Sequence, residues 1–285
     1  MSLRPLLTAR DEQILKSIFY YRYVTAREIM ALHFAKTTIS HVREVLAALS
    51  GKTDLDANNY LCRFNLPSMT GRSQEKVYVL GARGRRILQG MGLPATWYFR
   101  PSKLKFLSYS YVLHNLILTR TMIAAAQWAK EHPTFSLVDH RISYELSGKV
   151  IPDGWLFFEE QRSDGVYEYP VLFELDRGME MKEKFRAHVR GRINYLQSGE
   201  YKKQFKTDVA TIAYATTGQT ADYRVTRQKA MCTWIKELLK DMRLEAWAGI
   251  FKVASVEFQT LYDPSLFESE MWFRPDSNTP VRLFE

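Results

Sequence analysis

Ile151-Pro152-Asp153-Gly154-Trp155-Leu156-Phe157-Phe158 and, after a polar turn, Tyr169-Pro170-Val171-Leu172-Phe173-Glu174-Leu175-Asp176 read as two apolar strands that each carry carboxylates at one end. Asp153 leads the first strand. Glu174 and Asp176 lie two apart near the end of the second, so strand alternation puts both on one face of a sheet. Three converging carboxylates repel one another, and such a cluster persists where a divalent cation or basic partners compensate it. A metal-dependent phosphodiester site is one reading. Acidic residues gathered at solvated hairpin ends is the other.

Apolar periodicity around this pair predicts helices over 108–131, 180–196 and 223–242, and strands over 135–139, 150–158, 166–176, 208–216 and 251–258. Antiparallel opening strands followed by a crossover of about twenty residues imply a mixed sheet with flanking helices, an α+β or α/β domain. The helix over 180–196 carries Lys182, Arg186, Arg190 and Arg192 around an apolar stripe, as a solvated face or a phosphate contact. Leu113-His114-Asn115 lies on the preceding helix, where a histidine is more often a core residue than a proton donor.

The charge is unevenly spread. Of the formal net +9, residues 1–100 hold 15 Lys+Arg against 7 Asp+Glu, a balance of +8, and the remainder 25 against 24. A basic amino-terminal third suits a polyanion, and nucleic acid is the common one. Thr8-Ala9-Arg10-Asp11 caps a first helix, Thr25-Ala26-Arg27-Glu28 a second, and Lys36-Thr37-Thr38 opens a third. Segments 60–64 and 76–80 then flank a polar turn at Thr70-Gly71-Arg72-Ser73, which predicts a hairpin. Three short helices and a hairpin form a winged helix-turn-helix. Its third helix would show Thr37, Thr38, Ser40, His41 and Arg43 to the major groove of double-stranded DNA, with Arg63, Arg72 and Lys76 on the wing. Winged helices also serve as protein-binding modules, so a solvated face is the competing account.

Cys62 and Cys232 are the only cysteines and have no ligand spacing, so no disulfide framework or zinc site is expected. The window from Tyr109 to Trp128 is broken by His114, Asn115 and Arg120; no membrane partner is expected, and a cytoplasmic location is. Phosphate-binding loops, dinucleotide fingerprints and protease motifs are absent, and no organic cofactor is expected.

Pro-Asp on one strand and Glu-x-Asp on the next resembles the PD-(D/E)xK nuclease superfamily. The resemblance implies a restriction-endonuclease-like fold in which Asp153, Glu174 and Asp176 hold Mg2+. It also implies a catalytic lysine, whose usual place is taken by Asp176, so that Lys182 or Lys184 on the following helix would stand in. Over most of the chain the sequence resembles the replication-relaxation family of plasmid and mobile-element proteins. The matching stretches are Arg10-Asp11-Glu12-Gln13-Ile14-Leu15, Tyr20-Tyr21-Arg22-Tyr23-Val24-Thr25, Val79-Leu80-Gly81-Ala82-Arg83-Gly84, Leu113-His114-Asn115, Pro152-Asp153, and Phe173-Glu174-Leu175-Asp176-Arg177-Gly178 before Glu180. Met179 departs from it, standing where a threonine is expected.

The resemblance implies a DNA-binding protein acting in replication, relaxation or mobilisation of such an element, with a replication or mobilisation complex as partner. An active Mg2+-dependent endonuclease and a winged-helix transcription regulator are the alternatives. The expected organisation is a winged-helix domain over 1–94, a linker over 95–107 and a nuclease-like domain over 108–285. A palindromic DNA target would favour a homodimer, although no dimer seam is legible in the sequence.

Overall fold

The computed structural model describes residues 7–34, 36–51, 53–56, 58–66, 75–143, 150–178, 180–208, 210–218 and 220–285. The chain is α+β, with helices and a mixed sheet, and divides into two compact units, Met1–Thr119 and Arg120–Glu285.

Unit 1 opens on α1 (Ala9–Tyr21), whose Thr8 and Asp11 exchange side-chain and backbone hydrogen bonds in a capping box. Ile14 and Leu15, four and three residues before Ile18, make its fully buried stripe with it. A second box, Thr25 with Glu28, starts α2 (Ala26–His33). Thr38 caps α3 (Ile39–Ser50), which buries Val42, Leu46 and Leu49. Strands β1 (Val24–Thr25), β2 (Leu61–Asn65) and β3 (Lys76–Leu80) form an antiparallel sheet in the order β1-β3-β2, and α4 (Ala82–Gly90) follows. The turn expected at 70–73, with Arg72, lies outside the described residues.

Residues 95–107, expected as a linker, pack within this unit. Phe99 is 3% exposed, donates its amide to the Leu80 carbonyl at 2.8 Å and stacks on Phe64 at 5.6 Å. The division falls instead inside α5 (Tyr109–Glu131), whose Val112 and Leu116 join Tyr23, Cys62 and Val79 in the core of unit 1. Trp97, Phe99, Leu104 and Leu107 pack on the core of unit 1, whereas Phe106 is exposed.

Unit 2 is built on a seven-stranded sheet in the order β10-β9-β8-β7-β6-β5-β4. Strands β4 (Phe135–Ile142), β5 (Gly154–Arg162) and β6 (Gly165–Asp176) form an antiparallel meander, and β7 (Thr211–Thr216) and β8 (Phe251–Ser255) add in parallel. The crossover from β6 to β7 runs through α6 (Lys182–Gln197) and α7 (Glu200–Phe205), and α8 (Ala221–Met242) links β7 to β8. Sequence periodicity gives no sign of α7, β9 (Trp272–Phe273) or β10 (Pro280–Val281), which are six residues or shorter. β5 starts at Gly154 rather than at 150: Pro152 has no N–H for a ladder. Leu172, Ile212 and Val253 pack under Phe185, Val189 and Ile193 of α6 and Met231 and Ile235 of α8. A Cβ on Gly154 would meet the Met122 methyl at 2.3 Å, so a larger residue there requires that flexible side chain to move. Among the described residues no helix is long and apolar enough to cross a membrane.

Candidate nucleic-acid face and acidic cluster

On unit 1 the outer face of α3 shows Thr38, Ser40, His41 and Arg43, all exposed, with Thr37 half-buried beside them. The Thr38 hydroxyl accepts the His41 N–H at 3.4 Å, and no acid occupies the first turn, so the positive end of the helix dipole is uncompensated. Beside this face is a groove of about 640 Å3 lined by Arg27, Arg43, Arg63 and Lys76, with Glu44 and Glu75. Two of the expected wing cations are already engaged. Asp54 accepts from Arg63 Nε at 2.6 Å and from Lys76 Nζ at 3.3 Å. Burial pulls the Asp54 pKa up, but the hydrogen bonds and charges of Arg63 and Lys76 hold it below the ordinary carboxylate value. Arg43 and Arg27 face the groove from α3 and α2.

On unit 2, strand alternation places Glu174 and Asp176 on the face covered by α6 and α8, and each meets an arginine there. Glu174, 7% exposed, accepts Arg192 Nε at 2.5 Å; Arg192 is itself 8% exposed and donates to the His188 carbonyl at 3.1 Å. Asp176 takes a two-point bond from Arg227 at 2.9 and 3.2 Å and a third from the Thr216 hydroxyl at 2.8 Å. Asp153, just ahead of β5, accepts the Leu175 N–H at 2.8 Å. Burial pushes the Glu174 carboxyl up to about 7, against the pull of Arg192 and with Asp153 adding to the rise. The Tyr214 hydroxyl is buried beside this pair and has no hydrogen-bond partner among the described residues. Gly178 turns the chain out of β6 at φ +77°, where a Cβ would lie 2.5 Å from the Tyr223 hydroxyl.

The lysines expected to assist pair with other acids. Lys184 is 70% exposed and pairs with Glu180 at 3.6 Å, while Lys182 pairs with Glu237 at 2.8 Å. Arg186 bridges Glu237 and Asp241. Among the described residues no three His, Cys, Asp or Glu side chains are grouped to hold a metal ion. With Glu174 and Asp176 neutralised by arginines and Asp153 committed to an amide, the implied Mg2+ site does not fit this arrangement. From the sequence Arg192 reads as part of a solvated face or as a phosphate contact, and Arg227 carries no reading. Arg192 follows Phe185 by seven residues and Val189 by three, which puts it on the packing stripe, and that spacing was the available signal.

A family model described as replication-relaxation matches residues 15–211, more than half of the chain. No curated protein and no solved structure matches it.

Proposed function

Because the chain belongs to the replication-relaxation family, we propose that it is a DNA-binding protein of a plasmid or other mobile element, acting in that element's replication, relaxation or mobilisation. Unit 1 is read as a winged helix with α3 as recognition helix and β2 and β3 as the sides of the wing. The observation that carries this is the polar face of α3 beside a groove with four cations. The distribution of charge agrees with it: Met1–Thr119 holds 17 Lys+Arg against 7 Asp+Glu, +10, and Arg120–Glu285 holds 23 against 24, −1. Thr38, Ser40 and His41 meet base edges and Arg43 a base or a phosphate. Arg63 and Lys76 exchange the Asp54 carboxylate for phosphate oxygens.

Unit 2 is read as a nuclease-like scaffold of the PD-(D/E)xK kind that does not cut. The antiparallel meander joined through α6 to a parallel strand supports the ancestry. Arg192 and Arg227 supply the compensation that its carboxylates need, and Lys184 is turned to Glu180.

The test is the full-length protein on supercoiled, linear and branched DNA in Mg2+ or Mn2+, beside Asp153→Ala, Glu174→Ala and Arg43→Ala, with binding scored in parallel. Duplex binding without cleavage, weakened by Arg43→Ala and unchanged in the acid variants, is expected. Cleavage that both acid variants lose would establish an endonuclease instead. Binding indifferent to Arg43→Ala would remove the winged-helix assignment.

A further inference from the structure

On unit 2, away from the carboxylates, one face of α8 and the β9 region enclose a half-open groove of about 1000 Å3. Lys229, Lys236 and Arg274 line it, and among the described residues no carboxylate does. Lys229 and Lys236 are exposed and have no ion-pair partner among the described residues; the Arg274 guanidinium has Asp276 at 3.4 Å, and its Nε makes no hydrogen bond. The basic residues on the inner side of α8 differ: Arg224 pairs with Glu257 and Arg227 with Asp176. Met271, Phe273 and Pro275 supply the apolar part of the lining, and Phe273 is partly buried.

Two lysines without an ion-pair partner, beside an arginine shared with Asp276, select an anion, and Phe273 in the lining selects one that carries flat apolar groups. Phosphates joined to bases have both properties. Lys229 and Lys236 are two turns apart on α8, about 10 Å along its axis. That separation suits successive phosphates of one strand better than the oxygens of one phosphate. A base can stack on Phe273 only when it is free of its own neighbours, which a duplex does not offer. We propose that this groove binds a short single-stranded nucleic-acid segment, with Lys229, Lys236 and Arg274 on its phosphates and Phe273 under a base. The site goes beyond duplex recognition by unit 1 and does not rest on it.

Fluorescence anisotropy of the full-length protein with labelled oligothymidylate of about ten residues tests this, with a duplex of equal length as control. Lys229→Ala combined with Lys236→Ala should weaken the oligonucleotide at least about tenfold and lower its salt slope by about 1.4, at about 0.7 per phosphate contact. Thermal melting confirms that the double variant is folded; Phe273→Leu, which keeps an apolar side chain, should weaken the oligonucleotide as well. Unchanged affinity in the double variant overturns the proposal. So does competition by thymidine monophosphate as strong as that by the oligonucleotide per nucleotide, which would mark a single-phosphate pocket. A loss that appears in Arg43→Ala instead would put the strand on unit 1. Absence of duplex binding in the parent protein would sink the proposed function and leave this result standing.

Discussion

Glu174 and Arg192 are each at most 8% exposed and lie 2.5 Å apart, so neither charge is solvated and each depends on the other. The Glu174 pKa is raised on folding from an ordinary value of 4.5 to about 7, so folding takes up a proton between these values. The contribution of this group to stability is therefore complete below about 4.5 and is lost as pH rises through about 7. Between about pH 5 and about pH 8 the parent should lose more thermal stability than Glu174→Gln, which has nothing to titrate there. Parallel melting profiles would rule out the raised pKa. Arg192→Leu removes the cation and should cost about 3–5 kcal/mol at about pH 8, where the carboxylate is stranded, and less at about pH 5, where it can take a proton.

At the scale of elements, Asp54 joins the segment after α3 to both long strands of the unit 1 sheet. It reaches Arg63 on β2 and Lys76 on β3, and its carbonyl accepts the Arg63 amide at 2.8 Å. Its carboxylate is 44% exposed, so the stabilising effect of these pairs is under about 1 kcal/mol. Their effect on binding is larger if DNA must displace the carboxylate. Asp54→Asn should tighten duplex binding and steepen its salt slope by up to about 1.8, at about 0.9 per freed cation. An unchanged slope in a salt titration would mean that Arg63 and Lys76 do not reach phosphate. What the sequence made legible and what it hid follows from the span of each interaction. The capping boxes of Thr8 with Asp11 and Thr25 with Glu28 close over three residues, and both helix starts are readable directly. Asp54 meets its cations across 9 and 22 residues, Glu174 meets Arg192 across 18, and Asp176 meets Arg227 across 51. Alternation along β6 put both acids on one face, yet what stood opposite them depended on how α6 and α8 cross the sheet. Periodicity along one helix does not contain that crossing.

For the whole molecule, the proposed DNA binding makes the division of charge informative. Unit 1 carries +10 and unit 2 carries −1, so on that proposal the counterion-release contribution to duplex affinity would come almost entirely from the first unit. The compensated carboxylates of the second unit add no attraction for phosphate, and Arg192 and Arg227 are spent on them. Amide hydrogen exchange of the full-length protein with and without duplex DNA should therefore show slowed exchange over α3, β2 and β3 and none over β5, β6 and α6. The clearest signal is expected in the first turn of α3, whose amides have no partner inside the helix. Slowed exchange at the amides around Asp153 and Glu174 on adding duplex would mean that DNA engages the acidic cluster. The reading of unit 2 as a scaffold would then give way to a catalytic one.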